Sequence, residues 1–234
     1  MEIKRKLLWI LFGLSAIGVG LYPITYTFLN SPTSGLLASK PRDLIANAGY
    51  MTAFYMHIGY GGLALLTGWS QFLSSWRRNH PSFHRVLGYV YIISVLVSSI
   101  TGFIIALYSS GGTVASIGFG MLAVLWFTTI LLAFINIKRG AIKEHQKWMI
   151  RNYSMTFAAV TLRIYLPIVL FASGNGIEFT LQVVSWVAWV PNIIVAEGYI
   201  QREYGIFSPM YNEKKLADLQ SIHSEMLALE RENA

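Results

Sequence analysis

The chain has 234 residues, of which 54% are hydrophobic and 12% are charged, and it carries a net charge of +7. Average globular domains contain about 25% charged residues, so this composition excludes an ordinary soluble fold and predicts a polytopic membrane protein. Because the chain contains no Cys, disulfides, thiolate metal sites and thiol catalysis are excluded. The positive charge flanks apolar runs, as membrane orientation requires, so we expect a lipid bilayer and not a nucleic acid as its partner.

The apolar runs predict an all-α bundle of six transmembrane helices over residues 1–207. The first run follows Lys4, Arg5 and Lys6 and is too long for the core of a signal peptide, so we expect it to remain as a span. Residues 208–234 place apolar side chains on one helical face and predict a cytoplasmic amphipathic tail. The six predicted spans cover about residues 7–29, 50–73, 86–108, 115–137, 148–172 and 177–196.

The distribution of basic residues predicts the orientation of the bundle. With both termini in the cytoplasm, most of the 18 Lys and Arg residues lie at the cytoplasmic side, which satisfies the positive-inside rule. Lys40 and Arg42 then lie in an outer loop, and Arg163 lies within the fifth span. The second to fifth spans are expected to form the core, with the first and sixth at the periphery.

Polar side chains form stripes along three of the predicted spans. At about 100° per residue, His145, Asn152, Thr156 and Arg163 fall on one face of the fifth span. An ionisable group such as Arg163 costs roughly 2.5 kcal/mol or more at such depth, so we expect it to face the bundle interior. The stripe on the second span runs from His57 to Gln71 through small residues, and the stripe on the third begins at His84. Small residues on a stripe also serve helix packing alone, and that alternative stays open.

The predicted topology sorts these polar groups into two levels. His57 and Arg163 fall in the outer half of the membrane, and Gln71, His84 and His145 fall near the cytoplasmic face. Arg151 lies about a turn inside the membrane at the cytoplasmic side. Glu197, at the inner end of the sixth span, could neutralise it, so we predict a structural ion pair between them.

Two chemical hypotheses follow from these levels. In the first, His84 and His145 are the axial ligands of one b-type haem that carries electrons across the membrane. Imidazole suits iron, and the H-x-x-x-G spacing of His57–Gly61 and His84–Gly88 leaves room for a porphyrin beside the histidine ring. In the second, His57, Arg163 and Gln71 line a cavity for an anionic or amphiphilic ligand, a lipid or a quinone, and His57 relays protons. The second hypothesis describes a non-catalytic binding, transport or assembly protein and needs no metal.

Hydrolytic chemistry has no support. The chain contains no P-loop, no paired carboxylates and no nucleophile elbow, so no catalytic residue is assigned. Homo-oligomerisation stays an open alternative.

Several stretches resemble a family of bacterial predicted membrane proteins that carry a domain of unknown function. The resemblance covers about residues 50–200 and implies about six helices in a bacterial cell membrane. A weaker likeness is to transmembrane b-type cytochromes, although the fourth span here contains no His. The stretches that carry the family resemblance are His57-x-x-x-Gly61-Gly62-Leu63-Ala64-Leu65 with Gly68 and Gln71, His84-Arg85-x-x-Gly88-x-x-Tyr91, His145-x-x-Trp148-Met149-x-Arg151, Thr161-Leu162-Arg163, and Pro191-Asn192 with Ala196-Glu197.

Overall fold

The computed structural model describes residues 2–28 and 35–205, together with Leu216, Leu219, Gln220, Ser221 and Met226. The chain divides into two units, residues 1–193 and 194–234. The predicted tail helix, residues 208–234, lies largely outside the described residues. Those of its residues that are described are helical, and Leu216, Leu219 and Met226 are exposed.

The described residues form eleven α-helices and two short 3₁₀ helices, and they contain no strand. The 3₁₀ helices are Gly35–Ser39 and Trp69–Phe72. The α-helices are α1 (Glu2–Leu21), α2 (Pro23–Phe28), α3 (Arg42–Ala46), α4 (Ala48–Gly68), α5 (Ser74–Asn79), α6 (Pro81–Ala106), α7 (Gly112–Lys138), α8 (Ile142–Thr156), α9 (Ala158–Ser173), α10 (Gly176–Val187) and α11 (Val190–Tyr204).

Five helical segments of the described chain are long and apolar enough to cross a membrane, and they correspond to five of the six predicted spans. Helix α4 has 21 residues, but its glycine and tyrosine residues and His57 lower its hydropathy, and it is not among the five. The prediction of a helical membrane bundle is confirmed, whereas the second predicted span, residues 50–73, stays a prediction. The five segments are Lys6–Tyr26, Pro81–Ala106, Gly112–Lys138, Ile142–Ser173 and Gly176–Tyr204.

Large apolar side chains cover the outer faces of the long helices. Leu8 of α1, Ile93 of α6 and Val124 of α7 are each more than half exposed. A soluble protein rarely exposes apolar surface in such continuous patches. In a bilayer these side chains contact lipid tails, and α1, whose apolar window is only 17% buried, contacts lipid over most of its surface.

The main core lies where α4, α6, α7 and α8 meet. Tyr91, Val95 and Ile130 are fully buried there, and Tyr153 and Met155 of α8 pack beside them. Because lipid tails are as apolar as leucine, close packing and polar contacts hold such helices together more than burial from water does.

Glycines let α4 approach its neighbours closely. A Cβ at Gly62 would lie 2.5 Å from the carbonyl oxygen of Gly20, so the backbones of α1 and α4 touch there. A Cβ at Gly102 of α6 would lie 2.8 Å from the imidazole of His57. Gly62 of α4 therefore serves helix packing, and Gly102 of α6 makes room for the ring of His57.

The predicted fifth span is interrupted in its middle. Helix α8 ends at Thr156 and α9 begins at Ala158, with Phe157 between them. The amide of Val160 donates to the carbonyl of Phe157 at 2.9 Å, which tightens the chain locally to a 3₁₀-type turn. The interruption places Thr156 at the end of α8 and Arg163 within α9.

The first prediction concerns Gly68 at the end of α4. A Cβ there would overlap the ring of Tyr153 and lie 2.6 Å from Cε2 of Tyr91. Because both rings are buried, Gly68→Ala should lower the free energy of unfolding by about 1–3 kcal/mol, the usual cost of overpacking. Thermal unfolding of the purified protein in detergent measures it.

Gly59 provides the matched control on the same helix. No atom lies within 4 Å of a Cβ built at Gly59, so Gly59→Ala should leave stability unchanged or raise it by up to about 1 kcal/mol through helix propensity. Equal effects of the two substitutions would contradict the packing around Gly68.

Candidate functional site

A cavity of about 240 Å³ opens inside the bundle, between α4, α6, α7, α8 and α9. Its walls are predominantly apolar, and the polar groups on them are few. The cavity extends from the 3₁₀ helix Gly35–Ser39, at the end predicted to face away from the cytoplasm, to Trp126 near the middle of α7. The polar and charged residues that line it are Ser39, Lys40, His57, Ser98, Ser99, Ser109, Thr156 and Arg163.

His57 of α4 lines this cavity and is held by α6. Its Nδ1 lies 2.8 Å from the carbonyl oxygen of Ser98, and the Ser98 hydroxyl donates to the carbonyl oxygen of His57 at 2.8 Å. A carbonyl oxygen only accepts, so the neutral imidazole carries its proton on Nδ1 and keeps Nε2 as an acceptor. His57 is thus oriented by its neighbours and retains one nitrogen for a ligand or a proton.

Arg163 of α9 lines the same cavity. One of its terminal nitrogens donates to the carbonyl oxygen of Ala159 at 2.7 Å, and the guanidinium lies 4.7 Å from the centre of the Tyr22 ring. Among the described residues, no carboxylate forms an ion pair with Arg163. The structure thus brings His57 and Arg163 to one cavity. Within the described part of the chain, a carbonyl dipole and a ring face are the groups that offset the positive charge of Arg163.

Lys40 lies at the outer end of the cavity, in the loop between the first two predicted spans. Its ammonium group donates to the carbonyl oxygen of Tyr108, and burial lowers the pKa of Lys40 from its ordinary value. Beside it, Ser39 and Ser110 form two hydrogen bonds, of 3.1 and 3.0 Å. These contacts fasten the loop to the turn between α6 and α7 at this end of the cavity.

A buried hydrogen-bond network forms the inner end of the cavity. Trp126 Nε1 donates to the Thr156 hydroxyl at 2.8 Å, and that hydroxyl lies 2.8 Å from the hydroxyl of Tyr91. Tyr91 in turn donates to Asn152 Oδ1 at 2.5 Å. The amide nitrogen of Asn152 donates to the carbonyl oxygen of Trp126 at 2.8 Å and to Thr129 Oγ1 at 2.9 Å. The network joins α6, α7 and α8.

Helical periodicity predicts that Asn152 and Thr156 lie on one polar stripe, but it does not predict Trp126 as their partner. The fourth predicted span showed no polar stripe, and tryptophan is common in membrane helices. A buried Trp needs an acceptor for its N–H, and the nearby Thr129 is the one polar signal in that span that points to the network.

The remaining predicted site residues lie apart from this cavity. Gln71 and His84 line a crevice of about 10 Å³ with Arg77, and Gln71 Oε1 is buried there without a hydrogen-bond partner among the described residues. His145 is close enough to His84 for their charges to interact, but it does not line the crevice. Its Nδ1 lies 2.8 Å from the carbonyl oxygen of Ala133.

The haem hypothesis gains no support from this geometry. The hydrogen bond from Nδ1 of His145 leaves the lone pair of Nε2 available, as a metal ligand requires. The crevice beside His84, however, has room for about one water molecule and not for a porphyrin. No group of three or more His, Asp or Glu side chains is placed to hold a metal within the described part of the chain.

The ion pair between Arg151 and Glu197 stays a prediction. The guanidinium of Arg151 lies 4.6 Å from the centre of the Trp148 ring, within α8. Glu197 belongs to the second unit of the chain.

The apolar helices and the cavity among them define an α-helical integral membrane protein. The chain belongs to the family of predicted membrane proteins DUF2306, whose model matches residues 54–200. The matched range includes His57, Gln71, His84, His145 and Arg163, but not Lys40. No curated protein and no solved structure matches the chain.

The second prediction tests the network at the inner end of the cavity. Thr156→Val keeps the shape of the side chain but removes the acceptor of the Trp126 N–H and the partner of the Tyr91 hydroxyl. A buried donor left without a partner costs about 1–3 kcal/mol, so the variant should unfold at lower temperature or lower denaturant concentration than the parent.

Thr128→Val is the control for this change. Thr128 is exposed on the same helix as Trp126, and its hydroxyl donates only to carbonyls of its own helix. Its loss should change the free energy of unfolding by less than about 0.5 kcal/mol. If both variants unfold like the parent, the network does not stabilise the bundle.

Proposed function

We propose that this protein binds a small amphiphilic molecule inside its helical bundle, within a bacterial cytoplasmic membrane. The observation that carries the proposal is a mostly apolar cavity to which two separate helices contribute an oriented imidazole, His57, and a guanidinium, Arg163. Ligand sites of membrane and soluble proteins share this composition of apolar walls and a few convergent polar groups. A charged residue inside a membrane bundle is, by default, a functional one.

The polar groups would hold one end of the ligand and the apolar walls the other. His57 Nε2 accepts a hydrogen bond, and Arg163 donates several, so the two side chains together suit a head that carries oxygen atoms. Phe119, Leu122 and Met155 provide apolar contact farther in. The flexible thioether of Met155 adapts to ligands of different shape.

Electron transfer through a haem is not part of this proposal, because the space beside His84 does not fit the group. The proposal concerns binding, and it leaves His57 as a proton acceptor for a ligand hydroxyl or acid. This is the role that the imidazole can perform without a metal.

The third prediction fills the cavity. Ala123 of α7 lines it and is 6% exposed, so Ala123→Phe places a ring in the space that the ligand would occupy. A fluorescent amphiphile that binds the purified protein in lipid nanodiscs should bind this variant at least tenfold more weakly, with a smaller decrease for Ala123→Leu.

Val124→Phe is the control, since the next residue of α7 is 51% exposed and contacts lipid. It should bind the probe as the parent does. Thermal unfolding identifies a variant that fails to fold, in which case Ala123→Leu alone decides. Equal affinity in the parent and in a folded Ala123 variant would overturn the proposal.

A further inference from the structure

We infer that the ligand of this cavity is a single-chain carboxylic acid, bound as its anion with the carboxylate at Arg163. This inference rests on the proposed function and adds the chemical class of the ligand. Three observations support it: the charge of the cavity lining, the free donors of Arg163, and the size and shape of the space.

The first observation is that the charge of the lining is unbalanced. Arg163 and Lys40 both line the cavity, and no Asp or Glu is found among its lining residues in the described part of the chain. A cation in a membrane interior normally pairs with an acid or faces water. An anionic ligand would supply negative charge that the lining residues lack.

The second observation concerns the geometry of Arg163. Its guanidinium has five N–H donors, and the hydrogen bond to Ala159 is the one that it forms within the described chain. The Tyr22 ring lies against the group and accepts none of these donors in a directed way. A guanidinium forms two parallel hydrogen bonds with a carboxylate, so a planar anion with two oxygens fits the donors that remain.

The position of Lys40, already part of the first observation, also favours an anion. Its ammonium group is half-buried at the outer end of the cavity, and the carbonyl oxygen of Tyr108 is its partner. An ammonium group removed from water gains stability from a nearby negative charge, because the interaction is stronger at low dielectric. Lys40 can thus attract the acid at the outer end of the cavity, and Arg163 can bind it farther in.

The third observation is the size of the space. A cavity of about 240 Å³ exceeds the roughly 150 Å³ that holds a benzene molecule. Along α6 it extends from Ile105 to Ser98, a rise of about 10 Å. One short apolar chain fills such a space, whereas the two acyl chains of a phospholipid do not fit. Phe119, Leu122 and Ala123 line the apolar part.

A neutral quinone is the main alternative for the same cavity. It would accept a hydrogen bond from Arg163 but would leave the charges of Arg163 and Lys40 uncompensated. The distinction is measurable, because binding of a neutral ligand depends little on a single positive charge, whereas binding of an anion depends on it strongly.

The experiment compares decanoate, decanol and a short-chain quinone, each titrated into the purified protein in nanodiscs and corrected for partition into protein-free nanodiscs. We expect decanoate to bind the parent at least tenfold more tightly than decanol. Arg163→Gln should weaken the binding of decanoate at least tenfold and leave the binding of decanol within twofold of the parent. Arg163→Lys should bind decanoate with an affinity between those of Arg163→Gln and the parent, because it keeps the charge and loses the planar donors.

Arg139→Gln is the matched control, since Arg139 is exposed at the end of α7 and does not line the cavity. It should bind decanoate as the parent does. If Arg163→Gln does not fold, a Lys40→Gln variant tests the same charge dependence at the outer end of the cavity. The expected loss of affinity for decanoate is smaller there.

The outcomes separate this inference from the proposed function. If decanol or the quinone binds as tightly as decanoate, and the Arg163 and Lys40 variants change nothing, the acid inference falls while amphiphile binding stands. Equal binding of a two-chain phosphatidic acid overturns the single-chain part. If none of these ligands binds the parent, the proposed function falls with the inference.

Discussion

The hydrogen-bond network around Thr156 is the interaction on which the rest of the bundle depends. It ties α6, α7 and α8 together at a depth where water is not available to satisfy a lost partner. Between lipid-covered helices the hydrophobic effect contributes little to association, so directed contacts and close packing determine which helices meet and in what register. Trp126 and Thr156 belong to this network and also line the cavity, so the network forms one wall of the open space.

Arg163 has the opposite character. The polar groups of the network have hydrogen-bond partners, whereas the guanidinium of Arg163 retains unused donors and a full charge. Arg163 lies on α9, about one and a half turns past the interruption at Phe157, with its guanidinium against the Tyr22 ring. A fold that stabilises one polar cluster so thoroughly and leaves a second one incomplete assigns them different roles. The first supports the structure, and the second is where we propose that a ligand binds.

Much of this arrangement was accessible from the residues alone. Helical periodicity placed His57 and Arg163 on inward faces, and the alternating direction of the spans put them at similar depth, which is how they come to line one cavity. Periodicity could not predict that Lys40 reaches the same cavity, because that contact depends on how an irregular loop returns to the bundle. It also could not locate the interruption at Phe157, where neither proline nor glycine marks the end of a helix, whereas Pro167 lies inside α9 without ending it. For His84 and His145, sequence spacing predicted proximity but could not predict that the space beside His84 is too small for a flat macrocycle.

The fastening between Ser39, Lys40 and the turn after α6 bears on how a molecule would reach the interior. Three hydrogen bonds hold this loop in place, each formed by a side chain near the surface. Releasing them requires no separation of the long helices, but the buried side chain of Leu37 in the same loop would have to leave its contacts with Tyr50 and Phe54. The rate of exchange with the exterior would then be set by the stability of this one loop, and not by the packing of the helices around it.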